Sequence, residues 1–449
     1  MKRSLIRECL KKVKEQVSVA GWVQTVRSHG KIAFLDLRDR SGVLQIAAFD
    51  EKLVSTISAL GQQDAVKITG IIKQRDEKYI NKNIPTGIIE MHAESIEVIS
   101  KASVLPFDMG GKDLHLELPT LLDHRSLTLK HPMVQSIFKV QAALADEFRK
   151  AAVALDCTEI FVPTIAAGAT EGGSEVFKLD YYGRSAFMTQ SPQLYKQIMV
   201  GVLERVFTIA KAYRAEPSVT TRHLAEATQM DIEIGFVASF EELLDALEFV
   251  GASMIKNVSK TYADTLLEFG VEMPLVPDVI PRLTLREAQK IVTKRTGRDL
   301  SHELDLNPED EKEICLWAKE EELSDFVTIT HFPTKKRAFY TMPDTSDPEY
   351  SLSYDLLFRG LEILSGSQRI HEYDKLVEAM NKKNVDPKSF EMYLMAFKYG
   401  MPPEGGFSFG LERLTMKLLE LQNVRQASLF PRDMERIDVR HSQIDSPKE

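Results

Sequence analysis

Cysteine is scarce in this chain of 449 residues: three in all, Cys9, Cys157 and Cys315, far apart and odd in number. That pattern excludes a disulfide framework and a zinc knuckle, and it points to a reducing compartment. No apolar run approaches the roughly 20 residues needed to cross a bilayer, and the opening MKRSLIRECLKK lacks an apolar leader segment. The expectation is a cytoplasmic protein without membrane attachment. A basic excess is missing too. Lys and Arg number 57 against 66 Asp and Glu, a formal charge of −9, which argues against indiscriminate nucleic-acid binding but leaves room for a local basic face. No internal repeat or low-complexity segment is evident. The remaining composition is that of a soluble globular protein long enough for two or three domains.

The most informative stretch is YRAEPSVTTRHLAEATQMDIEIGF, from Tyr213 to Phe236. VFTIAKAYR before it and QMDIEIGFV within it alternate with the period of a strand, so the whole reads as an antiparallel hairpin with a long polar loop. Met230, Ile232, Ile234 and Phe236 share one face, and Asp231, Glu233 and Gly235 share the other. The polar face brings two carboxylates beside Arg214, Glu216, Arg222 and His223. It is either an ordinary solvent-facing surface with salt bridges or a floor for a charged ligand.

Upstream, residues 16–98 read as all-β after a short N-terminal helix. In IAFLDLRD, Ala33, Leu35 and Leu37 form the inner face, which turns Phe34 outward with Asp36 and Arg38; in VLQIAA, Gln45 is outward. An outward Phe beside an outward Gln on a small barrel suits stacking on an unpaired base, unless another part of the chain covers Phe34. From Ile99 to Lys130 the period is lost among prolines and a Gly pair, as in a linker.

An amphipathic helix is expected over 132–155, with Ile137, Val140, Leu144, Phe148, Ala152 and Leu155 on one stripe facing its own core or a twin subunit. TEIFVPTI follows as a strand. Glu171 sits in a glycine-rich loop and, taken alone, is a solvated charge. In MTQSPQLYKQIMV a strand runs into a helix with Gln193 and Lys196 on one face, where a lysine is usually solvated. Residues 240–325 read as mostly helical, and Asp305, Asp310 and Glu320–Glu322 as a solvated face.

Two further clusters lie downstream. SYDLLFRGLEILSGSQRIH places Asp355 and Glu362 on β-like sequence, as exposed carboxylates or as a converging pair of the kind that holds magnesium against a phosphate chain. EGGFSFGLERLTMKLLEL runs from a glycine-rich strand into a helix. Arg413, in the first helical turn, is either a surface arginine or a phosphate contact.

Together QSPQLYKQ, ATEGGSEVF, YRAE…RHL, EILSGSQRIH, GLER and LFPRD resemble the aspartyl-tRNA synthetases of the short archaeal and eukaryotic-cytosolic type, over about residues 1–436. The resemblance implies an α+β architecture: an OB-fold anticodon-binding barrel at 1–100, a hinge at 101–130, a class II catalytic domain at 131–436 built on an antiparallel sheet flanked by helices, and a disordered tail at 437–449. It implies ATP, L-aspartate and tRNA-Asp as substrates, magnesium as cofactor and a homodimer formed through the 132–155 helix. Acceptance of tRNA-Asn stays open at Gln24.

Carried over by residue, Arg214 would contact the α-phosphate and the substrate carboxylate, and Glu216 the adenine amino group. His223 and Arg413, with Arg222 in the same ATP set, would face the γ-phosphate. Asp355 and Glu362 would bind magnesium with Ser365 beside them. Glu171, Gln193 and Asp231 would surround the substrate ammonium, while Lys196 and Arg369 clasp the side-chain carboxylate. An asparagine amide would leave those two cations buried and unpaired. Arg27, Phe34 and Gln45 fall on anticodon-reading positions. Glu404 stands where the family usually has His, and it is expected to place a negative charge near the substrate. The alternatives are an asparaginyl synthetase, a non-catalytic tRNA-binding paralogue, and an amidating enzyme, which would not need the barrel.

Overall fold

The computed structural model describes residues 2–168, 175–217 and 220–440 and divides into two compact units, Met1–Glu117 and Leu118–Glu449. The division falls within the stretch read as a hinge, whose last part is helical at Leu118–Asp123 and Arg125–Thr128.

In the first unit five strands close a barrel in the order Gln16–His29, Ile32–Asp39, Gly42–Ala48, Ile89–Ser100 and Ala65–Gln74. The alternation read from sequence sets the pleat: Ala33, Leu35, Leu37, Leu44 and Ile46 are fully buried inside, joined by Val66, Ile68 and Met91. One element departs from the all-β reading, a helix at Glu51–Ser58. The Asp50 carboxylate caps it, accepting from the backbone N–H groups of Lys52 and Leu53 at 3.0 and 3.2 Å, and Val54 and Ile57 form its buried side.

The second unit is organised on an eight-stranded sheet, in the order Arg282–Thr284, Phe326–Thr330, Ser353–Phe358, Glu362–Gln368, Glu404–Gly410, Glu226–Gly235, Arg205–Tyr213 and Thr158–Glu159. The six inner strands are mutually antiparallel, and the two outer ones pair in parallel. Helices Pro132–Ala154 and Phe240–Thr261 belong to the core on one face of this sheet. The apolar stripe of the first helix faces that core and not a twin subunit: Val140, Leu144 and Phe148 are fully buried, and the Phe148 ring meets Phe207 and Phe409 edge-on at 6.0 and 6.4 Å. Each such side chain contributes roughly 1.5–3 kcal/mol of transfer free energy.

The opposite face of the sheet is polar because register aligns the polar positions of four strands. Asp231 pairs with Ser408, Ser408 with Ser365, and Ser365 with Asp355, giving one row across the sheet. Two residues along, Glu233, Gly406, Ser367 and Ser353 form a second row.

Three local readings need correction. TEIFVPTI is not one strand: Thr158–Glu159 pairs in the large sheet, and Ile165 belongs to a separate short strand paired with Met188. Phe236, assigned to the apolar face, lies beyond the strand end in the left-handed region, φ 55°, and is exposed. Asp310 is buried at the start of the Pro308–Glu321 helix, where it caps Asn307 N–H and pairs with Arg298 at 2.5 Å.

Gly366 carries the close approach between the middle strands. A Cβ there would lie 2.4 Å from Tyr354 Cε2 and 2.5 Å from the Gly406 carbonyl oxygen. Gly366→Ala is therefore expected to destabilise the second unit by about 1–3 kcal/mol or more through overpacking. Urea melts of the two proteins test this, and an unchanged midpoint would mean that the strands separate freely.

Candidate active site

A cavity of about 510 Å³ opens over the polar rows of the sheet. Its lining includes Gln193, Lys196, Arg214, Glu216, Arg222, His223, Asp231, Glu362, Ser365, Arg369 and Arg413. Thus residues separated by more than two hundred positions in sequence surround one space. Asp355 lies at the edge of this group without lining the cavity, and Glu171 lies outside the described residues.

The floor is a fully buried ionic cluster. Lys196 projects from the Gln193–Leu203 helix, which opens with Pro192 at its N-cap, and is 1% exposed instead of solvated. Its ammonium lies 2.7 Å from Asp231 Oδ1 and 3.1 Å from Glu233 Oε2. Arg369 meets Glu233 Oε1 at 2.7 Å and donates to Ser367 Oγ at 2.6 Å and to the Gly406 carbonyl at 2.9 Å. Gly406 has no side chain for a physical reason: its Cβ would lie 2.3 Å from the Glu233 carboxylate. Burial alone would raise the pKa of Glu233, but Arg369 and Lys196 outweigh it and hold the carboxyl below its ordinary range. Burial raises that of Asp231, opposed by Lys196 and by the hydrogen bond from Ser408.

The two cations expected to stand unpaired thus have internal carboxylate partners. Glu233, read as facing the polar side but given no role, joins them. Glu404 also needs correction. It is fully buried behind the cavity, accepts from Gln197 Nε2 at 2.9 Å, and its Oε2 has no hydrogen-bond partner. Burial first, and then the charge of Glu233, push its pKa well above the carboxylate range. Its ionised form is therefore disfavoured, and Glu404 is not the ordinary carboxylate that the sequence suggests.

Toward solvent the cavity wall becomes cationic. Arg214, Arg222 and Arg413 converge there, with side chains 42%, 24% and 22% exposed. Arg222 pairs with Glu311 at 2.9 Å, and Arg413 donates to the Arg222 and Glu362 carbonyls at 3.4 and 3.3 Å. Glu216 lies 3.9 Å from Arg214. Burial and then Arg413 lower the pKa of His223, whose Nδ1 sits 2.6 Å from Thr220 Oγ1, so the ring is neutral at neutral pH.

Beside this wall Asp355 and Glu362 face each other from paired strands. Loss of solvent, then the nearby Asp355 charge, push Glu362 up to about 7, although its side chain keeps a third of its surface open. Asp355 Oδ2 takes a salt bridge from Arg337 at 2.8 Å, while its Oδ1 is buried without a partner. Arg337 also donates to Ser365 Oγ at 3.1 Å and lies 3.9 Å from the Phe332 ring centroid. Nothing in the run Lys335-Lys336-Arg337 distinguishes this arginine from surface charge, so sequence reading passed over it.

On the barrel, Arg27, Phe34 and Gln45 come together on adjacent strands. Arg27 lies opposite Phe34, and Asp36 lies opposite Gln45. Arg27 holds Asp36 at 3.1 Å, Phe34 is half-buried beside His29, and Gln45 donates to Glu90 at 3.0 Å while accepting from Arg75 at 3.2 Å.

Comparison with known proteins assigns a family to each of the two units. The profile of the tRNA synthetases class II (D, K and N) matches residues 117–434, and that of the OB-fold nucleic acid binding domain matches residues 17–99. The chain is 41% identical to the aspartate–tRNA(Asp/Asn) ligase of Thermus thermophilus, over 97% of this chain and 99% of that protein. It is 40% identical to the aspartate–tRNA(Asp) ligase of Pyrococcus abyssi, over 94% and 96%. Among solved structures, asparaginyl-tRNA synthetase from Pyrococcus horikoshii complexed with asparaginyl-adenylate superposes with a TM-score of 0.88 at 29% identity, covering 97% of this chain and 99% of that one. A putative aspartyl-tRNA synthetase from Leishmania major superposes with a TM-score of 0.89 at 28% identity, covering 97% and 94%.

The raised pKa of Glu404 fixes a pH dependence of stability. The folded state keeps a proton that the unfolded chain releases near pH 4.3. The contribution of that carboxyl is therefore complete below this pH and is lost as pH rises toward the folded pKa. Glu404→Gln does not titrate, so it should gain stability over the parent protein progressively from pH 5 to pH 8. Thermal melts of both proteins across that range decide it; a difference independent of pH would mean that Glu404 is ionised in the fold.

Proposed function

This chain belongs to the class II tRNA synthetases of the D, K and N group, and from that premise we propose that it joins L-aspartate to the 3′ end of tRNA-Asp at the expense of ATP. In the first step an oxygen of the aspartate α-carboxylate attacks the α-phosphorus, the bond to the β-phosphate oxygen breaks, and pyrophosphate leaves. The carboxylate is already ionised at neutral pH, so no general base is needed and catalysis rests on positioning and neutralisation of charge. In the second step the terminal adenosine 3′-hydroxyl attacks the carbonyl of the mixed anhydride and AMP leaves.

The observation that carries the choice of aspartate is the charge count at the cavity floor. Lys196 and Arg369 are paired with Asp231 and Glu233. When the substrate ammonium engages Asp231, with Gln193 in the same subsite and Ser365 beside it, the two cations keep only Glu233. The aspartate side chain supplies the second negative charge. An asparagine amide would leave a buried positive charge unmatched, which costs on the order of several kcal/mol. The pairing of both cations at the cavity floor thus disfavours asparagine as the substrate, although asparaginyl-tRNA synthetases are among the structural neighbours.

Arg214 spans the α-phosphate and the substrate carboxylate, and Glu216 receives the adenine amino group. Arg222, His223 and Arg413 face the outer phosphates, with neutral His223 as a hydrogen-bonding group and not a charge. Asp355 and Glu362, with Ser365 beside them, would hold magnesium. The residues fit such an ion, because the two carboxylates repel each other and Asp355 Oδ1 is buried without a partner. Bound there, the ion supplies positive charge against the triphosphate.

The barrel unit reads the anticodon through Arg27, Phe34 and Gln45, and the second unit performs the chemistry. Phe161 and Val153, 90% and 61% exposed, lie outside the core stripe and offer the apolar surface of a homodimer. Among the described residues no helix is long and apolar enough to cross a membrane. A cytoplasmic enzyme is the reading that fits.

Charging assays with labelled aspartate or asparagine, each with tRNA-Asp and tRNA-Asn, test the function. Aspartate on tRNA-Asp is expected; transfer to tRNA-Asn as well would identify a two-tRNA enzyme. Transfer of asparagine would overturn the charge argument, and no transfer at all would leave a tRNA-binding paralogue. Lys196→Met should lower kcat/KM for aspartate by two orders of magnitude or more, since about 3–5 kcal/mol attends a broken buried pair. Phe34→Ala should raise KM for tRNA roughly tenfold or more, from about 1–3 kcal/mol of lost stacking. It should leave tRNA-independent pyrophosphate exchange unchanged.

A further inference from the structure

A chain of buried amides runs from the cavity floor to Glu404. Arg369 Nη2 donates to Gln193 Oε1 at 3.3 Å, Gln193 Nε2 donates to Gln197 Oε1 at 2.9 Å, and Gln197 Nε2 donates to Glu404 Oε1 at 2.9 Å. Tyr393 hydroxyl also donates to Gln197 Oε1, at 3.2 Å. Gln193, Gln197, Tyr393 and Glu404 are all buried.

We propose that Glu404 is a positioning residue for amino-acid recognition: acting through Gln197, it fixes which end of the Gln193 amide is presented at the pocket.

The direction of the chain follows from donor and acceptor types alone. A guanidinium can only donate, so the Gln193 atom facing Arg369 is its oxygen. The other Gln193 atom is then the amide nitrogen, so Gln197 meets it with oxygen and turns its own nitrogen outward. The chain must end on an acceptor, and Glu404 Oε1 is that acceptor. Tyr393 cannot hold the order, because its hydroxyl turns to accept as readily as to donate. Without an acceptor at 404, Gln197 is free to turn over. Its nitrogen would then face the Gln193 nitrogen, and relieving that clash turns an amide nitrogen toward Arg369. Because these groups are buried, each misplaced donor costs its desolvation.

This inference rests on the aspartate reading of the cavity. Its test is pyrophosphate exchange by the full chain with aspartate and ATP varied separately. Glu404→Gln keeps a carbonyl for Gln197 and should stay within about twofold of the parent in KM for aspartate. Glu404→Leu should raise that KM about ten- to hundredfold, with kcat and KM for ATP within about threefold. Gln197→Met should do the same. The Glu404→Leu/Gln197→Met pair should lose no more than either single change, because both break one relay.

A parent-like KM in Glu404→Leu would overturn the relay. So would additive losses in the pair, or equal falls in kcat and in affinity for ATP. Should Glu404→Leu not fold, Gln197→Met and Glu404→Gln carry the same comparison. A parent protein that exchanges pyrophosphate with asparagine alone, or not at all, would sink the functional reading and the relay with it. An active parent with an unaffected Glu404→Leu would sink the relay only.

Discussion

Burying Lys196, Arg369, Asp231 and Glu233 together is the constraint around which the catalytic unit is arranged. Each ion loses its hydration, and each is tolerated only because a partner sits within about 3 Å and the remaining donors are occupied. A cluster of this kind adds little to stability relative to an apolar core, and removing one member strands another. It is retained where an exact charge count is useful. Here the count defines what can be added at the floor: one cationic group and one anionic group together.

The sheet makes that cluster possible. Antiparallel register, and not chain proximity, aligns Asp231, Ser408, Ser365 and Asp355 in one row and Glu233, Gly406, Ser367 and Ser353 in the next. The same alternation sends Met230, Ile232, Phe407 and Phe409 into the core beneath helices Pro132–Ala154 and Phe240–Thr261. A one-residue slip would exchange the two faces, so the apolar packing that stabilises the unit also fixes the position of the charges. Small residues in the rows leave volume for the carboxylates, which is why Gly406 lies beside Glu233.

Much of this was legible in the chain. The period of QMDIEIGF placed Asp231 and Glu233 on one face, and IAFLDLRD sorted the interior of the barrel from Phe34. What local pattern could not supply was burial and partnership. Lys196 looks like a surface lysine because helical periodicity says nothing about what lies opposite. Arg337 sits in a basic run, and its partner Asp355 comes from another strand. Glu404 reads as an ordinary charge because its raised pKa comes from burial and from the charge of Glu233, which is far away in sequence. The Glu51–Ser58 helix was hidden for a local reason: two inward side chains three residues apart also fit a strand-and-turn reading.

The two ends of the cavity handle charge differently, and the difference follows from their exposure. At the floor, with Lys196 and Arg369 almost without solvent contact, an imbalance of one charge is felt nearly unscreened, so the site must be balanced before and after binding. At the rim, Arg214, Arg222 and Arg413 keep between a fifth and two-fifths of their side-chain surface in water. Solvent and salt moderate the charge there, where the three arginines meet Glu216, Glu311 and Glu362 at 3.9, 2.9 and 3.6 Å. Under the proposed function, discrimination between two nearly isosteric amino acids belongs to the floor, and capture of the triphosphate to the rim. The row that joins them, Asp231–Ser408–Ser365–Asp355, carries no cation of its own, so each end can keep its own balance while the reacting atoms meet between them.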